Sequence, residues 1–331
     1  MMQTQTLIQS HIPSLFDYTQ NPTGTLQIKK RDFLNTLLSK SSKKNKYKRY
    51  MGSLLRYAGG KSLAVGHIVE LIPENISKIV SSFFGGGSLE IALCKELGLE
   101  VIGYDIFGIL VNFWQVVLEN PQGLFNKLKL FRPTKDEYYK NKEILKAYWL
   151  GKMQLQPVEL AALYYFNHNL SYGPGFLGWP SSVYLNEKRY EVMINKIKGF
   201  EVDNLNVEVG DFENTIKQHP KNFLYLDPPY FLDGDSKMFR GIYPQRNFPI
   251  HHKGFKHKKL FELLKNHKGG FILSYNDCKQ IRSWYSDFEI FMPSWQYTMG
   301  QGETRIGLNR IRNGANHIKS SHELLIVGRG R

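Results

Sequence analysis

The chain has 331 residues, of which 42% are hydrophobic and 14% aromatic, enough to bury the core of one large domain or two modest ones. Its 44 Lys and Arg against 29 Asp and Glu give a net charge of +15, which favours polyanionic partners, nucleic acid first and an anionic membrane surface second. Two cysteines argue against a disulfide framework and a zinc site. The same cysteine count leads us to expect no bound metal. No apolar run approaches the roughly 18 residues of a membrane-spanning helix and no signal-peptide pattern is present, so we expect a cytoplasmic protein.

The first 50 residues are mostly polar and end in a basic segment, residues 40–50, where six of eleven side chains are Lys or Arg. Runs of like charge are typical of solvated segments without regular structure. The sequence therefore predicts a basic amino-terminal arm over residues 1–50, partly disordered. This arm is either simply solvated or docks on phosphates.

A glycine-containing loop, residues 56–62 (RYAGGKS), precedes an apolar-periodic segment that predicts a helix over residues 63–72. Gly59 and Gly60 allow the backbone to approach a ligand closely. Lys61 lies at the positive start of the predicted helix, where it suits an anion or a carboxylate.

A second glycine-rich loop lies between an apolar strand pattern at residues 79–84 and a helical pattern at residues 89–97. Strand, glycine turn and helix in this order form the first unit of a nucleotide-binding α/β fold. The next strand pattern, residues 100–104, ends in Asp105, about 20 residues past the glycine loop, where an acid can accept both hydroxyls of a ribose. The alternative is an acid that caps the following helix.

Residues 107–200 do not continue the strand and helix alternation. Helical patterns occur at residues 111–118, 138–150 and 157–167. The loop at residues 169–182 then interleaves glycines and prolines with Tyr172, Phe176 and Trp179. Exposed aromatic rings in such a loop suit contact with bases, and the alternative is a lid or a packed Ω-loop.

The apolar run at residues 223–226 predicts a buried strand that stops at Asp227-Pro228-Pro229-Tyr230, because proline cannot continue a sheet ladder. Carboxylate and carbonyl oxygens in this turn could accept the hydrogens of a planar amine while the Tyr230 ring lies on its face. The alternative is a turn with only a structural role. Residues 231–257 form a long polar loop whose histidines lie among lysines, which predicts a basic, mobile loop over the site rather than a metal site.

Shorter patterns complete the prediction. They are strands at residues 207–210, 270–275 and 323–327, helices at 258–267 and 281–285, and a basic segment at 305–319.

Taken together, the motifs resemble the DNA adenine-N6 methyltransferases of the bacterial and phage Dam-like class, also called the D12 class. The matching segments, in the family's order, are Arg56-Tyr57-Ala58-Gly59-Gly60-Lys61, Phe83-Phe84-Gly85-Gly86-Gly87-Ser88, Asp105, Asp211-Phe212 and Leu226-Asp227-Pro228-Pro229-Tyr230. The resemblance covers about residues 53–328 and is specific as a set. One departure is Phe107, which stands where the family commonly has Asn and so puts the local helix start in question.

The resemblance implies S-adenosylmethionine as methyl donor and assigns roles to residues. Expected cofactor contacts are Tyr57, Ala58, Gly59, Gly60 and Lys61 in the first loop, Phe83, Phe84, Gly85, Gly87 and Ser88 beneath the methionine part, Asp105 on the ribose, Ile106 on the adenine ring, Asp211 and Phe212 at that ring's edge, and Asp227. The expected catalytic residues are Asp227, Pro228, Pro229 and Tyr230.

This resemblance also implies the organisation of the chain. We expect a Rossmann-like α/β methyltransferase domain from residues 51–119 and 201–331, interrupted by a mainly helical target-recognition segment at residues 120–200. The expected activity is site-specific methylation of a flipped adenine in double-stranded DNA by a monomer in a bacterial or phage setting, with or without a partner restriction endonuclease. The alternatives are a methyltransferase acting on cytosine N4 or an RNA base, and an inactive DNA-binding module.

Overall fold

The computed structural model describes residues 24–39, 46–57, 59–173, 175–231, 254–293 and 323–330. Its strands are β1 (Lys78–Ser81), β2 (Glu100–Asp105), β3 (Leu205–Val209), β4 (Phe223–Leu226), β5 (Phe271–Asn276), β6 (Glu289–Phe291) and β7 (Glu323–Gly328). Its helices are α1 (Thr25–Leu37), α2 (Val65–Leu71), α3 (Ser88–Leu97), α4 (Gly108–Glu119), α5 (Pro121–Leu128), α6 (Lys135–Trp149), α7 (Pro157–Leu170), α8 (Glu187–Lys198), α9 (Phe212–Gln218), α10 (His257–Lys265) and α11 (Lys279–Trp284).

The described strands form one seven-stranded sheet in the order β3-β2-β1-β4-β5-β7-β6. Strands β1 to β5 pair in parallel, and β7 lies antiparallel to both β5 and β6. The chain moves outward from β1 to β2 and β3, and then returns to place β4 on the other side of β1. Strand order therefore reverses between β1 and β4, which is where open α/β sheets bind ligands beyond the carboxyl ends of their strands.

Alternating side chains of the central strands point to opposite faces of the sheet. Phe223 and Tyr225 of β4 pack with α1, α2 and α3 on one face. Leu224 and Leu226 pack with α9, α10 and α11 on the other face. Both faces are covered by helices, so the predicted Rossmann-like α/β class is confirmed.

A helical layer formed by α4 to α8 lies between β2 and β3 along the chain. Phe113 and Trp114 of α4 are fully buried and share one apolar cluster with Tyr165 of α7 and Ile197 of α8. The rings of Phe113 and Tyr165 stack 5.4 Å apart. Val207 of the edge strand β3 belongs to the same cluster, so the helical layer packs against that edge of the sheet.

The described part of residues 1–50 is not a separate arm. Helix α1 buries Phe33, Leu34 and Leu37 in the core cluster that contains α2 and α3. Lys30 is buried as well, and its ammonium donates hydrogen bonds to the backbone carbonyls of Glu70 at 2.9 Å and Ile72 at 2.7 Å. Charge counting treats such a lysine as solvated, whereas here it stabilises the carboxyl end of α2. Residues 1–23 and 40–45 lie outside the described residues.

Several other predictions also fall outside the described part of the chain. They concern Ala58, most of the polar loop (residues 232–253) and the basic segment at residues 305–319. Within the described part, every helix is too short or too polar to traverse a bilayer.

Candidate active site

The glycine-rich loop after β1 is fixed by hydrogen bonds on both sides. The amide N–H of Gly85 donates to the carboxylate of Asp105 at 2.9 Å, and the Gly85 carbonyl accepts from Nε1 of Trp114 at 3.0 Å. Gly87 has φ +62°, and an added Cβ there would lie 2.8 Å from the Phe84 ring. The loop therefore needs glycine for its left-handed backbone and for its contact with Phe84.

Asp105 lies at the carboxyl end of β2 and accepts two backbone hydrogen bonds. Besides Gly85, the amide of Phe107 donates to it at 2.9 Å. Burial raises the pKa of the Asp105 carboxyl, and these two bonds oppose the shift. The next residue, Ile106, is 54% exposed, so an apolar side chain faces solvent beside the hydrogen-bonded Asp105 carboxylate. Both predictions for this strand end, a ribose acceptor and a helix cap, remain compatible with the geometry.

The loop preceding α2 packs directly on the glycine-rich loop. A Cβ on Gly86 would lie 2.6 Å from Cβ of Tyr57, so glycine is required for this close approach. The Tyr57 ring stacks on His168 of α7 with centroids 5.8 Å apart. Tyr57 therefore joins the loop at the sheet edge to the helical layer.

Arg56 makes the same connection more strongly. Its guanidinium donates to the carbonyls of Asn169 at 2.6 Å and Ser171 at 3.3 Å, and it lies 3.4 Å above the Tyr184 ring. Its backbone amide donates to the Asn169 side chain at 3.0 Å. These contacts hold residues 53–57 against the end of α7, which places the first loop over the carboxyl edge of the sheet.

The buried Lys61 forms an ion pair with the partly exposed Asp227, a contact that the sequence did not predict. The Lys61 ammonium lies 2.7 Å from the Asp227 carboxylate, donates to the Gly59 carbonyl at 3.0 Å, and lies 3.9 Å from the carboxylate of Glu323. The side chains of Lys61 and Glu323 are 5% and 2% exposed. The structure thus brings the first loop, the proline turn after β4 and the start of β7 to one point.

Burial raises the pKa of the Asp227 carboxyl, and the Lys61 ammonium opposes that shift through its charge and its hydrogen bond. Burial also raises the pKa of Glu323 to about 7, again opposed by Lys61. Two acids beside one ammonium cannot both be fully neutralised by it, so this cluster binds protons at a higher pH than exposed carboxylates do.

The proline turn itself is largely enclosed. Pro228 is buried, Asp227 and Pro229 are partly exposed, and Tyr230 is only 4% exposed. The Tyr230 ring lies 5.1 Å from the Lys61 ammonium and 6.2 Å from the Tyr275 ring of β5. In this conformation the Tyr230 ring packs inward, so the predicted stacking on a planar amine would require part of that packing to open.

Asp211 and Phe212 follow β3 and have separate roles in the structure. The Asp211 carboxylate accepts the backbone N–H of Glu213 at 2.8 Å and caps α9. The Phe212 ring stacks on Phe83 at 5.8 Å and packs against Phe255 at 5.0 Å. The structure therefore brings Phe83 and Phe212, two of the expected cofactor contacts, into one aromatic cluster, and Phe255 joins them from the far side of the polar loop.

The loop at residues 169–182 begins as a short antiparallel hairpin. Ser171 pairs with Pro180, and the N–H of Tyr172 donates to the carbonyl of Trp179 at 2.7 Å. Tyr172 and Trp179 are 65% and 72% exposed, and the Lys142 ammonium lies 4.8 Å above the Trp179 ring. Phe176, predicted as a third exposed ring, is 5% exposed and packs in the helical layer.

Sequence reasoning missed two buried acids, Glu323 and Glu90. Each interrupts an apolar pattern, Glu323 at the start of the last strand and Glu90 within the predicted helix after the glycine loop. A charged residue in an otherwise buried stretch was the available signal, because buried acids need partners. Across the described residues, no three or more His, Cys, Asp or Glu side chains are grouped so that they could hold a metal ion.

Glu90 gives a pH-dependent stability that can be measured. Burial raises the pKa of Glu90 to about 7, although the hydroxyl of Ser81 donates a hydrogen bond to it at 2.7 Å. A carboxyl with a raised pKa binds its proton more tightly in the folded protein, so its stabilisation is complete at low pH and is lost as pH rises through about 7. We expect Glu90→Gln to remove up to about 3 kcal/mol of the decline in unfolding free energy between pH 5 and 8.

Denaturant unfolding of both proteins at pH 5, 6, 7 and 8 tests this expectation. Glu119→Gln, which changes an exposed glutamate at the end of α4, is the matched control and should follow the wild-type curve. If Glu90→Gln declines as steeply as the wild type, Glu90 is not the titrating group.

Comparison with known proteins identifies the class. The family model described as D12 class N6 adenine-specific DNA methyltransferase matches residues 57–299, which is most of the chain. A Type II methyltransferase of Lactococcus lactis subsp. cremoris, M1.LlaDCHI, is 25% identical over 258 residues, which span 71% of this chain and 84% of the relative. The fold is therefore that of an S-adenosylmethionine-dependent methyltransferase.

The chain belongs to the D12 class of N6 adenine-specific DNA methyltransferases. The resemblance inferred from the sequence motifs is thereby confirmed, as is the enzyme class. The family match also implies a DNA substrate and S-adenosylmethionine as the methyl donor.

Proposed function

We propose that the protein methylates N6 of an adenine flipped out of double-stranded DNA at a specific sequence, with Asp227 and the Pro228 carbonyl as the groups that hold the amine. The observation that carries this proposal is the position of Asp227. Its carboxylate lies in the turn after β4, beside the glycine-rich loop after β1, where strand order reverses.

The residues at the ends of β1 and β2 suit the methyl donor. Asp105 presents a carboxylate whose orientation is fixed by two backbone amides, which suits ribose hydroxyls, and exposed Ile106 offers an apolar surface to an adenine ring. Gly85 and Gly87 provide backbone without side chains beside them. S-Adenosylmethionine, when bound, supplies an electrophilic methyl group.

The proline turn prepares the adenine amine for attack. The lone pair of this amine is delocalised into the ring, which makes the nitrogen a poor nucleophile. If Asp227 and the Pro228 carbonyl each accept one hydrogen, the nitrogen becomes more tetrahedral and its lone pair points out of the ring plane. No covalent intermediate with the protein is required. Flipping places the base where these acceptors can reach it, and Tyr230 would stack on it once its inward packing opens.

We assign target recognition to residues 120–200. Helices α5 to α8 present the hairpin that exposes Tyr172 and Trp179, and Lys142 lies over the Trp179 ring. Exposed aromatics beside a cation suit bases and phosphates together. Arg56 ties this segment to the first loop, so DNA held here would lie next to the catalytic turn.

The cellular setting follows from the same proposal. We infer a monomer, encoded by a bacterium or a phage, that works on the nucleoid in the bacterial cytoplasm. The relative M1.LlaDCHI is a Type II methyltransferase, which favours a restriction-modification setting with a cognate endonuclease over an orphan methylase.

Mapping modified bases tests the function. DNA from cells that express the protein should contain N6-methyladenine in one short sequence motif, and cells that express Asp227→Asn should lack it. N4-methylcytosine as the sole product would refute the adenine assignment, and no incorporation from labelled donor by purified wild type would indicate an inactive DNA-binding module.

A further inference from the structure

Lys61 lies between two carboxylates, one partly exposed and one buried. The Lys61 ammonium lies 2.7 Å from Asp227, which belongs to the proposed catalytic turn. It lies 3.9 Å from Glu323, the first residue of β7, which pairs with Asn276 of β5. The Glu323 side chain is 2% exposed, so its charge cannot be screened by water. A buried carboxylate destabilises the fold unless close partners compensate its charge, so one that is retained can have a functional role.

The ion pair poses a problem for the reaction. An ammonium at 2.7 Å neutralises much of the charge on Asp227, and a hydrogen bond to a carboxylate is stronger when the carboxylate keeps its charge. Asp227 is therefore a weakened acceptor for the adenine amine while Lys61 is bound to it. Lys61 in turn cannot simply leave, because an unpaired buried ammonium is strongly unfavourable.

We propose that Glu323 is a positioning residue that takes up the Lys61 ammonium when the adenine amine reaches Asp227, so that one buried cation alternates between two anions. This inference rests on the proposed function. In the waiting state Lys61 neutralises Asp227. In the working state Lys61 shifts toward Glu323, and Asp227 presents its full charge to the amine.

The surrounding groups are consistent with this exchange. Tyr230 and Ser274 lie near Glu323 and lower its pKa, which favours its charged form. Tyr225 faces Asp227, Glu90 and Glu323 from β4, and Glu90 acts on Asp227 and Lys61 from α3. Because Glu323 has a pKa near 7, raised by burial, its readiness to receive Lys61 depends on pH in the range where the enzyme is assayed.

Glu323→Gln tests the proposal, since it keeps the size of the side chain and removes its charge. We expect the single-turnover rate constant for methyl transfer to fall by about tenfold or more, with the affinities for S-adenosylmethionine and DNA changed less than threefold. The acid limb of the rate profile should also move to lower pH by about one unit, because a negative neighbour of Asp227 is lost. A merely structural role would lower the rate at every pH without moving the limb.

Glu70→Gln is the matched control. Glu70 of α2 is also a buried glutamate, but its carboxylate is paired with Lys46 and accepts a hydrogen bond from Tyr47 rather than contacting Lys61. This variant should keep the position of the acid limb.

Three outcomes overturn the proposal or its basis. If Glu323→Gln transfers methyl groups at the wild-type rate with an unmoved acid limb, the positioning role is wrong while the proposed function stands. If wild type transfers no methyl group in the same assay, the proposed function fails first. Should Glu323→Gln fail to fold, Glu323→Asp decides: its shorter carboxylate should slow transfer and keep the acid limb, and a wild-type rate would refute the proposal.

Discussion

Replacing Asp227 with asparagine should slow single-turnover methyl transfer by at least about a hundredfold, because the proposed acceptor of the amine hydrogen loses its negative charge where positive charge develops on the nitrogen. Asparagine keeps the shape of the side chain, but its amide is uncharged and only Oδ1 can still accept a hydrogen bond, because the NH2 group is a donor. Binding of S-adenosylmethionine should remain measurable, since Asp105 and the glycine-rich loop are untouched. Rapid quench with labelled donor gives the rate, and calorimetry gives the affinity.

Asp203→Asn provides the control, because it makes the same chemical change at an exposed position in the loop before β3. It should transfer methyl groups at the wild-type rate. If Asp227→Asn transfers methyl groups at a rate within a few-fold of wild type, the proposed amine-holding role is wrong and the turn has only a structural function.

The strands of the sheet were predictable because buried parallel strands are short apolar runs bounded by turn residues. The runs ending at Asp105 and Asp227 are of this kind, and both are strands in the structure. Helix α1 was not predictable in the same way. Its apolar positions Phe33, Leu34 and Leu37 follow a cluster of basic residues, and only tertiary contacts show that Lys30 is buried on carbonyls of α2.

The residues of the candidate site likewise fall into those that the sequence could place and those that it could not. Motif residues at strand ends could be placed because parallel strands end at one edge of the sheet. Glu323 could not, because its position beside Lys61 depends on β7 running antiparallel to β5, a pairing between segments far apart in sequence. The inward packing of Tyr230 depends likewise on Tyr275 from β5. Local sequence patterns thus predict which residues lie at the strand ends, whereas the pairing of strands far apart in sequence determines which of their side chains are in contact.

Asp105→Ala should weaken binding of S-adenosylmethionine by about tenfold to a hundredfold, since hydrogen bonds to a charged group contribute roughly 1.5–3 kcal/mol. The same change removes the acceptor for the backbone amides of Gly85 and Phe107, each bonded at 2.9 Å. The free energy of unfolding should therefore fall by about 1–3 kcal/mol even without ligand. Calorimetric titration with S-adenosylmethionine and denaturant unfolding of the ligand-free protein measure the two effects separately.

The two effects distinguish the ribose acceptor from the helix cap. The control is Glu208→Gln, which changes an exposed acid of β3 that pairs with Tyr104 of β2. It should change neither quantity. If Asp105→Ala unfolds more easily but binds the donor as wild type does, the carboxylate only holds the glycine-rich loop and the helix start. If binding weakens beyond what the lost stability of the loop explains, Asp105 contacts the donor itself. Asp105→Asn sharpens this distinction, because its amide keeps one acceptor for the backbone but must turn N–H groups toward the other amide, so stability should be intermediate while donor affinity stays low.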